Sequence, residues 1–508
     1  MTFEDLLKGA EILSQSGNPS VAAVQYDSRR IQPGDVFVAI RGESSDGNQF
    51  IDRAIAAGAL AVVTDSPEEA PREGIAWAVV PHGRRALARI SGNFYKRPAE
   101  KLSITGITGT NGKSTTAFLI ESIFKVGRRN TVLVGTIEYH VAGKVLPAPH
   151  TTPESLEINQ ILADGLAHGA TEVVMEVSSH ALAQQRIFGI PFDVAVFTNL
   201  TRDHLDYHRT MDEYFAAKRV LFEGCGTEPS RVAILNRDDE YGCKLAEFSR
   251  KRGSRVFTYG LVAGDFHARQ VKITSRGTRF DLATPGGVIP LWSPLIGKVN
   301  VYNILAASAA AYARDGTPEA IAHGIANLAR VPGRFERVDC GQPYTVVVDY
   351  AHTDDALRNL TSLAREFVAQ AGQKGRVITV FGCGGDRDRA KRPLMGDAAG
   401  RGSDFVILTS DNPRSEDALA IINDALVGLQ RSGTKYKTEP DRRAAIALSV
   451  REAGPGDIVL IAGKGHEKVQ VSRQGTISFD DVEVAREVLS EAGYDCESAN
   501  TSSTGSQA

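Results

Sequence analysis

Apolar and polar positions alternate along this chain in blocks. Short β-branched runs end in glycine or polar residues, and most are separated by amphipathic stretches. Between about 100 and 333, runs at 102–107, 132–136, 172–177, 194–199 and 232–236 predict buried strands with helices between several of them. That alternation predicts a mostly parallel sheet with helices on both faces. Residues 1–98 predict a smaller α/β unit: a strand at 36–40, a helix at 50–57 stopped by Gly58, and short apolar runs at 60–64 and 76–80. A second wound unit follows at 334–492, with four runs at 345–349, 377–381, 405–409 and 458–462. They lead into Tyr-Ala-His, Gly-Cys-Gly-Gly-Asp-Arg, Ser-Asp-Asn-Pro-Arg and Gly-Lys-Gly-His-Glu. Ligands of open α/β sheets bind beyond the carboxyl ends of strands, so these four loops predict one site. The expected division is 1–98, 99–333 and 334–492, with a linker at 331–335 and a small, polar, disordered tail at 493–508.

Length agrees with that division, since 508 residues exceed one core and suggest about three domains of ~100–200 residues. Hydrophobic content of 42% and charged content of 23% are those of a soluble globular protein. A net charge of −3 argues against a protein that coats nucleic acid, so an anionic ligand must meet local cations. The five cysteines are scattered and form no C-x-x-C pair, which fits a reducing compartment and gives no zinc framework. The start, Met1-Thr-Phe-Glu-Asp, lacks a basic-then-apolar leader, and apolar stretches such as 304–313 fall short of the ~20 residues that cross a bilayer. The expected location is cytoplasmic, with no membrane or nucleic-acid partner.

The most specific chemistry lies at 108–115, Thr-Gly-Thr-Asn-Gly-Lys-Ser-Thr, between an expected strand and an expected helix. Such a loop wraps phosphates with backbone N–H groups, Lys113 adds a charge and Ser114 offers a hydroxyl to Mg²⁺. The strict G-x-x-x-x-G-K-[ST] pattern fails by one residue, because Ile107 holds the required glycine position and Gly106 lies one early. A glycine loop that binds nothing is the plainer alternative. Glu176 closes an apolar strand, where a carboxylate is costly unless paired or metal-bound, and either an arginine partner or Mg²⁺ would satisfy it. Asp203-His204-Leu-Asp206-Tyr-His208 has the composition of a metal cluster, yet zinc needs three or four ligands held together, so a hard-cation or nucleotide contact by His204 is the better reading. Lys218 sits on an amphipathic stretch, where a lysine is ordinarily solvated. Arg334 and Arg337 flank the linker as surface charges or as cations that reach across it.

Together these residues carry a family resemblance. Gly109-Thr-Asn-Gly-Lys-Ser, Met175-Glu-Val-Ser-Ser-His, Asn199-Leu-Thr-Arg-Asp-His-Leu-Asp-Tyr-His and Asp349-Tyr-Ala-His resemble the Mur ligase family over nearly the whole chain except the tail. Asp27-Ser-Arg with Gly34-Asp-Val-Phe-Val-Ala resembles the N-terminal domain of its third and fourth amino-acid-adding enzymes. Thr151-Thr-Pro, Ser178, Gln184, Arg186, the 382–387 loop and Asp411-Asn-Pro-Arg414 resemble the type that adds meso-2,6-diaminopimelate.

The resemblance implies an ATP-dependent amide ligase acting on UDP-N-acetylmuramoyl-L-alanyl-D-glutamate through an acyl phosphate, with Mg²⁺ as cofactor and ATP as co-substrate. It implies an ATP site of Gly109, Thr110, Asn111, Gly112, Lys113, Ser114, Thr115, Asn303, Arg334 and Asp349. Ser114 and Glu176 would hold one metal, His204 would assist a second, and Lys218 matches the lysine that this family carbamoylates. Tyr26, Ser28, Thr151, Thr152, Ser178, Gln184 and Arg186 match positions that bind the UDP-linked dipeptide. Arg387, Asp411, Asn412, Pro413, Arg414, Gly463 and Glu467 would surround diaminopimelate, whose extra carboxylate suits an arginine fork. The expected state is a monomer. The rivals are the same ligase using L-lysine, the ligase that adds D-Ala-D-Ala, and a nucleotide-dependent switch that ligates nothing.

Overall fold

The apolar runs build three main sheets in the computed structural model of the chain, which describes residues 1–42, 45–370 and 375–496. The N-terminal sheet has five strands in the order Ser14–Ser16, Ala76–Val79, Ala61–Thr64, Val36–Val38 and Val24–Gln25. Its expected helix begins as a 3-10 turn at Gly47–Phe50 and continues as Ile51–Ala56.

Eleven strands form the central sheet. Its parallel middle runs Arg255–Gly260, Val232–Asn236, Val194–Phe197, Ser103–Thr108, Glu172–Glu176 and Thr131–Val134. Ile104 and Ile107 of one strand enter cores on opposite faces, as the period-2 geometry of a doubly covered strand requires. The first core holds the helices Lys113–Val126 and Lys298–Ala313, the second the helices Ser155–Ala167 and Met211–Glu223. Lys298–Ala313 is apolar over most of its circumference and is accordingly buried, with alanines that let neighbouring backbones approach. Antiparallel strands were not among the expected elements. They extend one edge as Phe266–Thr274, Gly277–Thr284 and Gly287–Ser293, and the other as the hairpin Glu138–Val141 and Lys144–Pro147.

The C-terminal sheet has six strands in the order Glu336–Val338, Thr345–Asp349, Ile458–Ala462, Val377–Phe381, Phe405–Leu408 and Lys435–Thr438. All pairs but the first are parallel, so the four expected loops leave the same edge. Among the described residues no helix is long and apolar enough to cross a membrane.

Two expectations change at the C-terminus. Cys340 and Cys496, 156 residues apart, form a disulfide, a pairing that the spacing of the cysteines did not suggest. The sheet brings the end of its edge strand next to the exit of the helix Asp481–Glu491, and only that packing makes them neighbours. The expected disordered tail therefore begins with four placed residues, 493–496, of which Tyr494 packs on Tyr344; residues 497–508 lie outside the described residues.

Candidate active site

The phosphate loop follows the central strand Ser103–Thr108, and Lys113 is the first residue of the next helix. That N-terminus has no side-chain cap, which suits it to an anion. Gly106, the near miss to the strict pattern, serves packing: a Cβ there would lie 2.6 Å from the Phe192 ring. Gly112 instead admits Asn303, whose Oδ1 lies 2.4 Å from where a Cβ would stand. Asn199 fixes the loop by accepting from Thr110 N at its carbonyl and from Asn111 N at Oδ1. The Thr110 hydroxyl meets Tyr214 Oη at 3.2 Å, while Ser114 and Thr115 are buried in the first turn of the helix.

Lys113 Nζ donates to the carbonyls of Gly109 at 3.1 Å and Thr110 at 2.9 Å. Lys218, from the helix Met211–Glu223, donates to the same Gly109 carbonyl at 2.9 Å and lies over the Tyr214 ring. It is 1% exposed and forms no ion pair with a carboxylate among the described residues. Burial, and then the charge of Lys113, draw its amine well below the ordinary lysine value. The reading of a helical lysine as a solvated one is therefore overturned by tertiary packing.

Glu176 ends the strand beside the loop, in register with Ile107, and is fully buried. Its partners are neutral donors. Thr136 N and Oγ1 donate to it at 2.8 and 2.9 Å and Ser114 Oγ at 3.1 Å, and among the described residues it pairs with no arginine. A buried carboxylate beside a serine hydroxyl and without a cationic partner is an oxygen donor set that fits a hard cation.

His204 adopts a left-handed backbone, with φ of 54°, uncommon for a residue with a Cβ. Burial pulls its imidazole down to about 3, against the opposing charge of Asp203. The Asp203–His208 stretch does not gather a zinc site, and among the described residues no group of three His, Cys, Asp or Glu side chains could hold a metal. Asp203 instead faces His204 at 3.4 Å, His352 at 3.8 Å and Lys391 at 3.5 Å, the last two from the C-terminal unit. Sequence reading did not single out His352 or Lys391 as site residues, since each lies in a different segment from Asp203.

Arg334 also spans the two units. Its Nη2 donates to Ser114 Oγ at 3.3 Å, its guanidinium covers Tyr350, and its buried Nε has no partner. Asp349 accepts from Phe335 N at 2.6 Å, and burial raises its carboxyl above the ordinary range despite the charge of Arg334.

The four C-terminal loops, Thr136, Thr151, Asp203 and His204 line a cavity of about 1200 Å³. Arg387 and Arg414 stand on its wall. Their recorded donations go to backbone, Arg387 Nη1 to Asp386 O at 2.9 Å and Arg414 Nη1 to Gly385 O at 2.8 Å, and neither forms an ion pair among the described residues. Arg414 has φ of 53°, and burial and then the like charge of Arg387 lower its pKa. Two adjacent guanidinium groups without an anion make a site for one. Asp411, Asn412, Gly463 and Glu467 line the same cavity, whereas Pro413 turns the chain and accepts from Glu416 N.

The positions matched to the UDP-linked dipeptide divide between two places. Thr151 accepts from Thr136 Oγ1, and Thr152 Oγ1 donates to Glu176 O and accepts from Ser178 N, so this pair abuts the buried carboxylate. Ser178 Oγ caps the following helix, and Gln184 accepts from Arg186, which also donates to Thr152 O. Tyr26 donates to Glu157 at 3.0 Å and Ser28 is buried in the N-terminal unit; neither lines the large cavity.

Comparison with known proteins gives three family matches: the Mur ligase middle domain at residues 107–311, the "Mur ligase, glutamate ligase domain" at 333–465 and the "Mur ligase family, catalytic domain" at 20–95. A protein of Solibacter usitatus named UDP-N-acetylmuramoyl-L-alanyl-D-glutamate--2,6-diaminopimelate ligase is 55% identical over 93% of this chain and 94% of its own. A protein of the same name from Geobacter metallireducens is 44% identical over 95% of this chain and 97% of its own. A solved structure of an enzyme of that name superposes with a TM-score of 0.67 at 33% identity, covering 97% of this chain and 99% of its own. MurF of Acinetobacter baumannii shares the fold, with a TM-score of 0.67 at 20% identity over 96% of this chain and 98% of its own.

Proposed function

The chain belongs to the Mur ligase family, and from that premise we propose that it joins meso-2,6-diaminopimelate to UDP-N-acetylmuramoyl-L-alanyl-D-glutamate at the expense of ATP. In this reading residues 1–98 hold the UDP end of the substrate, 99–333 the nucleotide and 334–492 the incoming amino acid, in a monomeric cytoplasmic enzyme.

A carboxylate is a poor electrophile because it lacks a leaving group. The D-glutamyl carboxylate oxygen therefore takes the γ-phosphoryl group of ATP, forming an O–P bond as the bond to ADP breaks. The free amine of diaminopimelate then attacks the acyl carbon, a C–N bond forms, phosphate departs with the C–O electrons and the amine sheds its proton. Two anions must meet in the first step, so positioning and positive charge carry most of the catalysis. Lys113 and the open helix N-terminus receive the phosphates, and Arg334 reaches in from the linker. Ser114 and Glu176 would hold one Mg²⁺, with His204 assisting a second, and the cation would supply positive charge for the phosphoryl oxygens. Lys218, as its carbamate, would be the anionic member of that set; its burial without a carboxylate partner among the described residues supports the assignment.

The observation that carries the choice of amino acid is the pair Arg387 and Arg414, two arginines that form no ion pair among the described residues and line the same cavity as Glu467. They suit the distal carboxylate of diaminopimelate, and Glu467 suits its ammonium. L-Lysine would leave the guanidinium groups unpaired in a closed site. Phosphate release measured side by side with the two amino acids should favour diaminopimelate by roughly 10²-fold or more, and Arg414→Ala should erase most of that preference. A wild-type preference for lysine would overturn the assignment, and ATP binding without substrate-dependent phosphate release would favour a switch.

A further inference from the structure

A fully buried lysine stands between the two loops assigned to the amino acid. Lys464, in the turn after the strand Ile458–Ala462, is 0% exposed. Its Nζ donates to Asn412 Oδ1 at 3.1 Å, Glu467 Oε2 at 3.2 Å and Val469 O at 2.6 Å. An ammonium has three protons, and these three acceptors use them all. Lys464 is therefore occupied within the protein, behind Asn412 and Glu467, which line the cavity.

Its arrangement aims one carboxylate. Asn412 Nδ2 donates to Glu467 Oε2 at 2.7 Å, and Val471 N donates to the Asn412 Oδ1 that Lys464 also reaches. Both side-chain bonds of Glu467 fall on Oε2, which leaves Oε1 without a hydrogen-bond partner among the described residues, on a side chain that lines the cavity. Asp411 lies close by: a Cβ on Gly463, whose φ is 117°, would stand 2.5 Å from Asp411 Oδ2. Burial and then the repulsion of Asp411 raise the Glu467 carboxyl, while Lys464 and the Asn412 amide oppose them. Tyr350, Arg414 and Arg442 are the other titratable or charged groups that act on this carboxylate.

We propose that Lys464 is a positioning residue for amino-acid capture, holding Glu467 as an anionic acceptor with Oε1 presented to the distal ammonium of the incoming diamino acid. The proposal rests on the function assigned above. It explains a buried cation beside a pocket that receives another cation: Lys464 offsets the repulsion between Asp411 and Glu467 while its own protons go to protein acceptors. Arg442 does the corresponding task for the backbone, donating to Ser410 O at 3.2 Å and Ala462 O at 3.0 Å, the carbonyls just before Asp411 and Gly463.

The test is Lys464→Met, which keeps the aliphatic stem and removes the charge. The KM for diaminopimelate at pH 7 should rise about 10–100-fold, the loss expected for a charge-assisted contact, with the KM for ATP and for the UDP-linked dipeptide within about twofold. Loss of the Lys464 charge makes Glu467 easier to protonate, so the variant's KM defect should shrink toward wild type as pH is raised. In a Glu467→Gln background the same substitution should add almost nothing, because the residue it acts through is gone. Lys464→Gln, which retains a donor, serves if the methionine variant does not fold. Equal losses toward all three substrates, a KM defect that is flat with pH, additivity with Glu467→Gln, or failure of both variants to fold would each overturn the proposal and make Lys464 a fold-holding residue. Wild-type turnover of diaminopimelate is the control: its absence would overturn the assigned function, whereas its presence with an unchanged variant would overturn this inference alone.

Discussion

Beneath the amino-acid loops and at the rim of the cavity, the C-terminal unit uses arginine in opposite ways. Beneath them, Arg442 grips Asp481 with two bonds of 2.8 and 2.7 Å, and Arg392 meets Glu416 and Asp424 at 2.7 and 2.9 Å. At the rim, Arg387 and Arg414 donate only to backbone carbonyls among the described residues. Lys113 and Lys218 at the glycine loop share the second condition, since both meet the Gly109 carbonyl and neither forms an ion pair among the described residues. A cation saturated by protein anions holds a shape; a cation left with carbonyls has charge to spend on a ligand. The difference separates scaffold from site without appeal to which residue types are present.

Three substitutions probe that separation, in order of expected effect. Lys113→Ala should lower phosphate release by on the order of 10³-fold without a matching loss of stability, as for removal of a preorganised donor. Activity near wild type would move Lys113 to the scaffold set. Arg442→Met strands Asp481 in a dry interior, and breaking one side of a buried pair costs about 3–5 kcal/mol. Calorimetry should show the C-terminal unit melting on the order of 10 °C lower; an unchanged transition would show that the pair does not hold the loops. Arg401→Ala removes an ion pair with Asp397 whose arginine is 70% exposed, so stability should change by less than about 0.5 kcal/mol and kinetics not at all. A larger change would mean that saturation alone does not sort these cations.

Much of this was legible beforehand for a local reason. The strands at 232–236, 345–349, 377–381 and 458–462 fall within the residues that their unbroken apolar runs marked, because a doubly covered strand must be apolar on both faces. The phosphate loop was legible because its donors are consecutive in sequence. The antiparallel edges at 138–147 and 266–293 were not expected, since strands with one solvated face mix polar and apolar residues and carry a weaker signal. Lys218 gave no sign of its state, because a lysine on an amphipathic helix reads the same whether it meets solvent or the Gly109 carbonyl.

The sequence by itself determined the α/β class, the order of the strands along the chain and the glycine loop at 108–115, because each depends on neighbours a few residues away. It also held, through the family resemblance, the identities of the residues assigned to the substrates. Only the tertiary structure decided that Asp203 faces His352 and Lys391, that Arg334 reaches Ser114, that Cys340 meets Cys496, and which cations are saturated. Those are contacts between segments up to about two hundred residues apart, and the charge state and reach of a buried side chain depend on what the fold sets beside it.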